Sequence, residues 1–151
     1  MAADRDEALE TLRGGFFDLL AAQRRLRGRD AGQRKGAGLS FAQYRLVREL
    51  SLADGGELRA SQLAAAAELA PPTVTQMLDQ LETLGIVQRT RSESDRRVVT
   101  NRLTEVGRRL LAEKDAAYAR KWHDVFADLD ADALDAATAV LRRLARLYDD
   151  L

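Results

Sequence analysis

The sequence predicts a mainly α-helical protein with one small β-hairpin. Ala and Leu number 26 and 24 among 151 residues, against 8 Val and 1 Ile, a composition that favours helix. Four of those nine β-branched residues, Ile86, Val87, Val98 and Val99, fall in one short stretch. Elsewhere apolar residues recur every three to four positions, the period of a helix with one buried face.

Leu9, Leu12, Phe16, Leu19 and Leu26 give a first helix of about five turns. Gly28, Gly32, Gly36 and Gly38, set among basic residues, predict a flexible loop from Gly28 to Gly38. Ser40 is placed to cap a second helix carrying Phe41, Tyr44, Val47 and Leu50, and Asp54-Gly55-Gly56 ends it. A short Ala-rich helix follows from Ser61 to Leu69, broken at Ala70-Pro71-Pro72. Proline is tolerated in a first helical turn, so a new helix starts there, with Val74, Met77, Leu78, Leu81 and Leu84 on one side and Gly85 as its stop. Ile86 to Leu103 then reads as two strands around the turn residues Ser92-Glu93-Ser94-Asp95. Thr104 and Glu105 open another helix, with an apolar stripe of Leu110, Leu111, Tyr118, Trp122, Val125, Phe126 and Leu129. The last helix begins near Asp130 to Asp132. Its heptad sets, Leu134, Leu141, Tyr148 and Ala137, Leu144, Leu151, predict with the first helix a helical dimer interface; packing within one chain is the alternative. The expected organisation is a dimerisation helix and loop over 1–39, a central domain over 40–104 and C-terminal dimerisation helices over 105–151.

Charge balances at 24 basic against 24 acidic residues, but not locally. Residues 24–35 hold six basic side chains and one acid, and residues 86–109 hold seven Arg and three acids. The first cluster reads as a solubilising loop. The second sits on the hairpin, where Arg suits contact with phosphates and base edges. There is no cysteine, which excludes disulfides, thiol chemistry and Cys-ligated metal. The single histidine, His123, provides no transition-metal cluster and reads as an ordinary helix residue. No nucleophilic triad or phosphate-cradling glycine loop is present, so no enzyme, cofactor or metal is expected. No apolar run nears the roughly 20 residues that span a bilayer. The acidic start lacks the regions of a signal peptide, so a cytoplasmic location without membrane contact is expected.

Two consecutive short helices joined by a tight turn form a helix-turn-helix candidate, and an Arg-rich hairpin directly after them is a candidate wing. The second helix fits the major groove of DNA; the hairpin tip would reach phosphates or the adjacent minor groove, where negative potential is strong.

From Ser61-Gln62-Leu63-Ala64 to Gly107 the chain resembles the MarR family of winged helix-turn-helix transcriptional regulators. The resemblance rests on Leu63-Ala64, on Thr73-Val74-Thr75 with Leu78 and Leu81-Glu82, and on Leu84-Gly85-Ile86-Val87-Gln88-Arg89. Its most specific part is Asp95-Arg96-Arg97 followed after five residues by Leu103-Thr104, with Glu105 and Gly107. The resemblance implies a homodimer on a pseudo-palindromic double-stranded DNA operator. It implies that Arg97 enters the minor groove, that Asp95 braces the wing, and that Pro72, Thr73, Thr75 and Gln76 face the major groove. Arg89, Arg91 and Arg96 are further candidates for phosphate contact, with a solvated face as the alternative; Gln76 is either a base reader or an exposed helix residue. Where the family often has a helix-capping Ser, this chain has Ala70-Pro71-Pro72. The prolines lack backbone N–H donors, so phosphate anchoring falls to Thr73, Thr75 and the wing arginines. The resemblance further implies repression relieved by a small aromatic or anionic effector. The candidate lining is Phe16, Phe17, Phe41, Tyr44, Arg45, Tyr118 and Trp122, although Tyr44, Tyr118 and Trp122 also suit a core or interface. The competing reading is a helical protein–protein interaction module that has kept the winged shape without binding DNA, a role that gives no reason to keep seven Arg around the hairpin.

Overall fold

The structure, a computed structural model, describes residues 2–32, 38–91 and 98–150, without the side chains of 2–3, 27 and 29–32. Its elements in order are α1 (Ala2–Gly32), α2 (Phe41–Leu52), a 3-10 turn (Asp54–Gly56), β1 (Glu57–Leu58), α3 (Ala60–Ala67), α4 (Pro71–Thr83), β2 (Val87–Arg91), β3 (Val99–Leu103), α5 (Glu105–Val125) and α6 (Ala131–Asp149).

Local chemistry sets most of these boundaries. Ser40 caps α2 through a reciprocal box: the Gln43 backbone N–H donates to Ser40 Oγ at 3.1 Å, and the Ser40 N–H donates to Gln43 Oε1 at 3.0 Å. Gly55 and Gly56 take φ of 73° and 69° after α2, a left-handed conformation open to glycine. The turn joining α3 and α4 instead places Glu68 there, at φ 53°. Pro71 and Pro72 fill the first turn of α4, where N–H groups have no helical partner. Thr104 begins α5 by accepting from the Gly107 N–H at 3.1 Å while its hydroxyl donates to Gly85 O at 2.6 Å. Asp130 caps α6 by accepting from the Ala133 N–H at 2.9 Å.

Two features depart from the sequence reading. The helix α1 continues through Gly28 to Gly32, where a loop was expected. A helical glycine costs only about 1 kcal/mol relative to alanine, and no proline enforces a break there. The hairpin also gains a third strand. β1 pairs antiparallel with β3 (Glu57 opposite Arg102, Leu58 opposite Asn101), and β2 pairs with the other edge of β3 from Val87–Leu103 to Arg91–Val99. Two residues are too few to show a strand period.

The chain divides into two compact units, Met1–Lys114 and Asp115–Leu151. In the first, Leu46, Val47 and Leu50 of α2, Leu63, Ala64 and Ala67 of α3, and Val74, Leu78 and Leu81 of α4 form one core with Ile86, Val87, Leu103 and Leu111. Gly107 allows α5 to leave the sheet tightly: a Cβ there would lie 2.2 Å from Ile86 O. In the second unit, Trp122 and Phe126 pair with ring centroids 5.2 Å apart, and no described residue of α6 is buried. No helix among the described residues is long and apolar enough to cross a membrane.

Candidate nucleic-acid interface

The helix α4 has two faces. Val74, Leu78 and Leu81 point into the core, at the i, i+4, i+7 spacing of one helical stripe. That packing leaves Pro72, Thr73, Thr75, Gln76, Asp79 and Gln80 exposed. Four of the six are the groove-facing candidates of the sequence, so the fold brings them together on the solvent side of one helix. The helix start lacks two backbone donors, at Pro71 and Pro72, and Thr73 carries the first backbone N–H of the helix. The Thr75 hydroxyl donates to Pro71 O at 3.1 Å, so its proton serves its own helix and its oxygen keeps an acceptor role.

The sheet stands directly after this helix. A three-residue turn, Leu84–Ile86, leads from α4 into β2, with Gly85 at φ 68°. Of the candidate arginines, Arg91 is exposed at the end of β2. Arg89 is turned back: its Nη2 lies 2.6 Å from Asp79 Oδ1 and its Nε lies 3.4 Å from Glu82 Oε2. Asp95, Arg96 and Arg97 lie outside the described residues. Arg102, not among the candidates, donates across the strands to Gln88 Oε1 at 3.1 Å.

Sequence reasoning missed three side chains here. Asp79 and Glu82 are acids on the candidate DNA-facing helix, and only the ion pair with Arg89 shows their place. Asn101 is 2% exposed, in the middle of β3. Its Nδ2 donates to Leu58 O at 3.0 Å, fastening β1 to the sheet, while its Oδ1 has no partner among the described residues. The period-two alternation Val99, Asn101, Leu103 was the available signal, since it places Asn101 on the face that Leu103 buries. Between α4 and the sheet lies a cleft of about 230 Å³ lined by Ala60, Thr75, Leu78, Arg89, Val99 and Asn101.

The candidate effector residues divide between the units. Phe16, Phe17, Phe41, Tyr44 and Arg45 belong to the first and Tyr118 and Trp122 to the second. Phe41 and Tyr44 are half-buried on α2 with ring centroids 6.4 Å apart, and Arg45 Nη2 donates to Ala67 O at 3.3 Å. Phe17 and Trp122 are exposed. No group of three or more His, Asp or Glu among the described residues could hold a metal ion.

A helix with a free polar face, joined by a tight turn to an antiparallel wing, is the arrangement the sequence comparisons address. The MarR family model matches residues 39–99, from the start of α2 to the start of β3. The HTH-type transcriptional regulator YhbI of Bacillus subtilis is 32% identical over 107 residues, 71% of this chain and 66% of that protein. The chain belongs to the MarR family. It spans about two-thirds of the length of this curated relative. The MarR fold extends beyond the matched segment. FabT of Streptococcus pneumoniae, solved in complex with DNA, superposes with a TM-score of 0.71 at 21% identity, over 91% of this chain and 96% of that one. BpsR of Bordetella bronchiseptica, whose DNA binding is described as regulated by 6-hydroxynicotinic acid, superposes with a TM-score of 0.62 at 22% identity, over 85% and 98%. At these identities the two likenesses establish the winged-helix architecture.

Proposed function

We propose that this protein is a sequence-specific double-stranded-DNA-binding transcriptional regulator that acts as a homodimer and represses until a small organic effector releases it. One observation carries the DNA reading: Pro72, Thr73 and Gln76 share the free face of α4, a helix that fits a major groove, with the Arg-bearing sheet immediately beside it. In this reading α4 is the recognition helix. Gln76 reads a base edge, Thr73 accepts or donates at phosphate or base, Thr75 accepts from a base edge while its proton stays on Pro71 O, Arg91 and Arg96 anchor phosphates, and Arg97 enters the minor groove with Asp95 bracing the tip. FabT, captured on DNA, supports the choice of nucleic acid. The interaction-module alternative has no observation in its favour, since seven Arg over 86–109 serve a polyanion better than a neutral partner.

The dimer reading rests on apolar surface. Leu134, Leu141, Leu147 and Tyr148 of α6 are all exposed within one chain, and contiguous apolar surface marks an interface. In the proposed organisation 1–39 and 105–151 form the dimer and 40–104 meets DNA. The effector class, aromatic or anionic, is the one the family resemblance implies, and BpsR supports it.

Selection of duplexes from a random pool with the purified protein, followed by affinity measurement over a salt series, tests the function. Enrichment of an imperfect palindrome with half-sites about 10–10.5 bp apart is the expected result. Binding that ignores sequence, or no binding, rejects the reading.

A further inference from the structure

We propose that Arg89 acts as a positioning residue: its ion pairs with Asp79 and Glu82 latch the first wing strand to the recognition helix and fix the angle at which the two meet DNA. This rests on the DNA-binding reading above and assigns Arg89 a different task from phosphate contact. Asp79 and Glu82 lie three residues apart, hence on one face of α4, and Arg89 reaches both from β2 at 2.6 and 3.4 Å. The guanidinium is committed to them: its side chain is 28% exposed, against 59% for Asp79 and 45% for Glu82.

Charge argues the same way. The three side chains together carry one net negative charge, a poor anchor for a phosphate, since a phosphate contact needs an uncompensated cation. Geometry supplies the task. On the buried side, helix and strand are joined by the peptide link through Leu84–Ile86 and by a shared core to which Leu78 and Leu81 of α4 and Val87 of β2 all belong. The ion pair adds a second attachment on the exposed side, more than a full helical turn back along α4, at Asp79. Two attachments constrain the angle between a helix in the major groove and a hairpin reaching the next minor groove. Opposite Arg89 across the ladder stands Asn101, whose amide holds β1 to the same sheet, so the latch joins α4 to a three-stranded unit and not to a lone hairpin.

The latch makes a prediction of opposite sign to simple electrostatics. Removing an acid from a helix that approaches phosphates strengthens binding on charge alone; removing a latch weakens it. The test uses the full-length protein, the duplex enriched by wild type and a scrambled duplex, with Asp79→Ala, Arg89→Ala and the charge-swapped double variant Asp79→Arg/Arg89→Asp. Both single variants should weaken enriched-duplex binding by about two- to fivefold, the range of a partly exposed ion pair. The slope against salt should stay unchanged, scrambled-duplex affinity should change less, and the double variant should recover in part, because the carboxylate introduced at position 89 pairs with the guanidinium introduced at position 79 but faces Glu82. Asp79→Ala binding as tightly as wild type or tighter would overturn the latch. So would an Arg89→Ala salt slope flattened by about 0.9, or equal losses on both duplexes, which signal only a smaller folded fraction. Wild-type protein that enriches no duplex would overturn the DNA reading and the latch together, whereas wild-type binding with Asp79→Ala undiminished overturns the latch alone.

Discussion

The lobe built from α2, α3, α4 and the sheet differs from α6 in where it keeps its apolar side chains. Leu46, Val47, Leu50, Leu63, Val74, Leu78 and Leu81 are each at most 1% exposed; in α6, Leu141 is 53% exposed and no described residue is buried. Leu and Ala make up 10 of the 19 residues of α6 and 12 of the 33 residues of α2, α3 and α4, so composition does not account for the greater burial in the lobe. The lobe's helices are short and turn on Ser40, Gly55, Glu68 and Gly85, so each apolar stripe meets another from the same chain. A helix of 19 residues with a heptad stripe has a longer seam to cover, and another helix with the same period covers such a seam best. Burial therefore separates what one chain completes by itself from what a second copy is proposed to complete.

The same kind of substitution should behave differently in the two regions. Leu63→Ala removes a fully buried side chain and should cost about 2–5 kcal/mol. Its lowered thermal midpoint should not change with protein concentration. Leu141→Asp should leave the lobe folded and abolish the dimer. Operator affinity then falls by about 10²–10⁴, the avidity lost when two half-sites are no longer held together. Light scattering and thermal melts at several concentrations check both; a Leu141→Asp protein that stays dimeric would remove α6 from the interface.

Local signals in the sequence carried the fold well. Ser40, Pro71-Pro72, Gly85, Thr104 and Asp130 each mark a boundary through hydrogen bonding or backbone freedom within a few residues, and each boundary is where the structure has it. The two-residue β1 escaped because its evidence lies 43 residues away, in Leu58 O accepting from Asn101 Nδ2. The helical stretch Gly28–Gly32 escaped because four glycines outweighed the absence of a hard stop. For the interface, it was the family resemblance that singled out Pro72, Thr73, Thr75 and Gln76, and the structure leaves all four exposed on α4. The sequence could not show that Arg89 bends back to Asp79, because the direction of a long side chain depends on tertiary neighbours.

Within the lobe, the two proposed DNA contacts should separate by what they read. Gln76→Ala should lose about 1–3 kcal/mol on the operator if its contact is bidentate, and little on scrambled DNA, because base contacts specify while phosphate contacts position. Arg97→Ala should weaken binding to both DNAs and flatten the salt dependence by about 0.9 log units per log unit of salt for a lost phosphate-like contact. Equal losses on both DNAs for Gln76→Ala would reassign it to a non-reading role. Gly107→Ala, which forces a Cβ toward Ile86 O at 2.2 Å, should cost about 1–3 kcal/mol of lobe stability, read in a urea melt.

The smallest expected effect sharpens the comparison most, because it holds the chemistry constant. Ser40 and Asp130 each accept a hydrogen bond from the backbone N–H three residues on, at 3.1 and 2.9 Å. Replacing either with alanine leaves the first turn of its helix without that acceptor, at a local cost of about 1 kcal/mol. In α2 the first turn is tied to the core through the half-buried Tyr44, which packs against it, so Ser40→Ala should lower the global unfolding free energy by that amount at every protein concentration. In α6 the first turn carries no buried side chain, so Asp130→Ala should fray the helix end and leave the monomer's lobe untouched. Its effect should appear as a weaker dimer, about 30-fold in dissociation constant if the full 1 kcal/mol from each of the two copies is transmitted, visible in sedimentation at low micromolar concentration. A concentration-independent loss for Asp130→Ala matching that of Ser40→Ala would show that α6 is stabilised within its own chain, and the contrast between the two regions would fail.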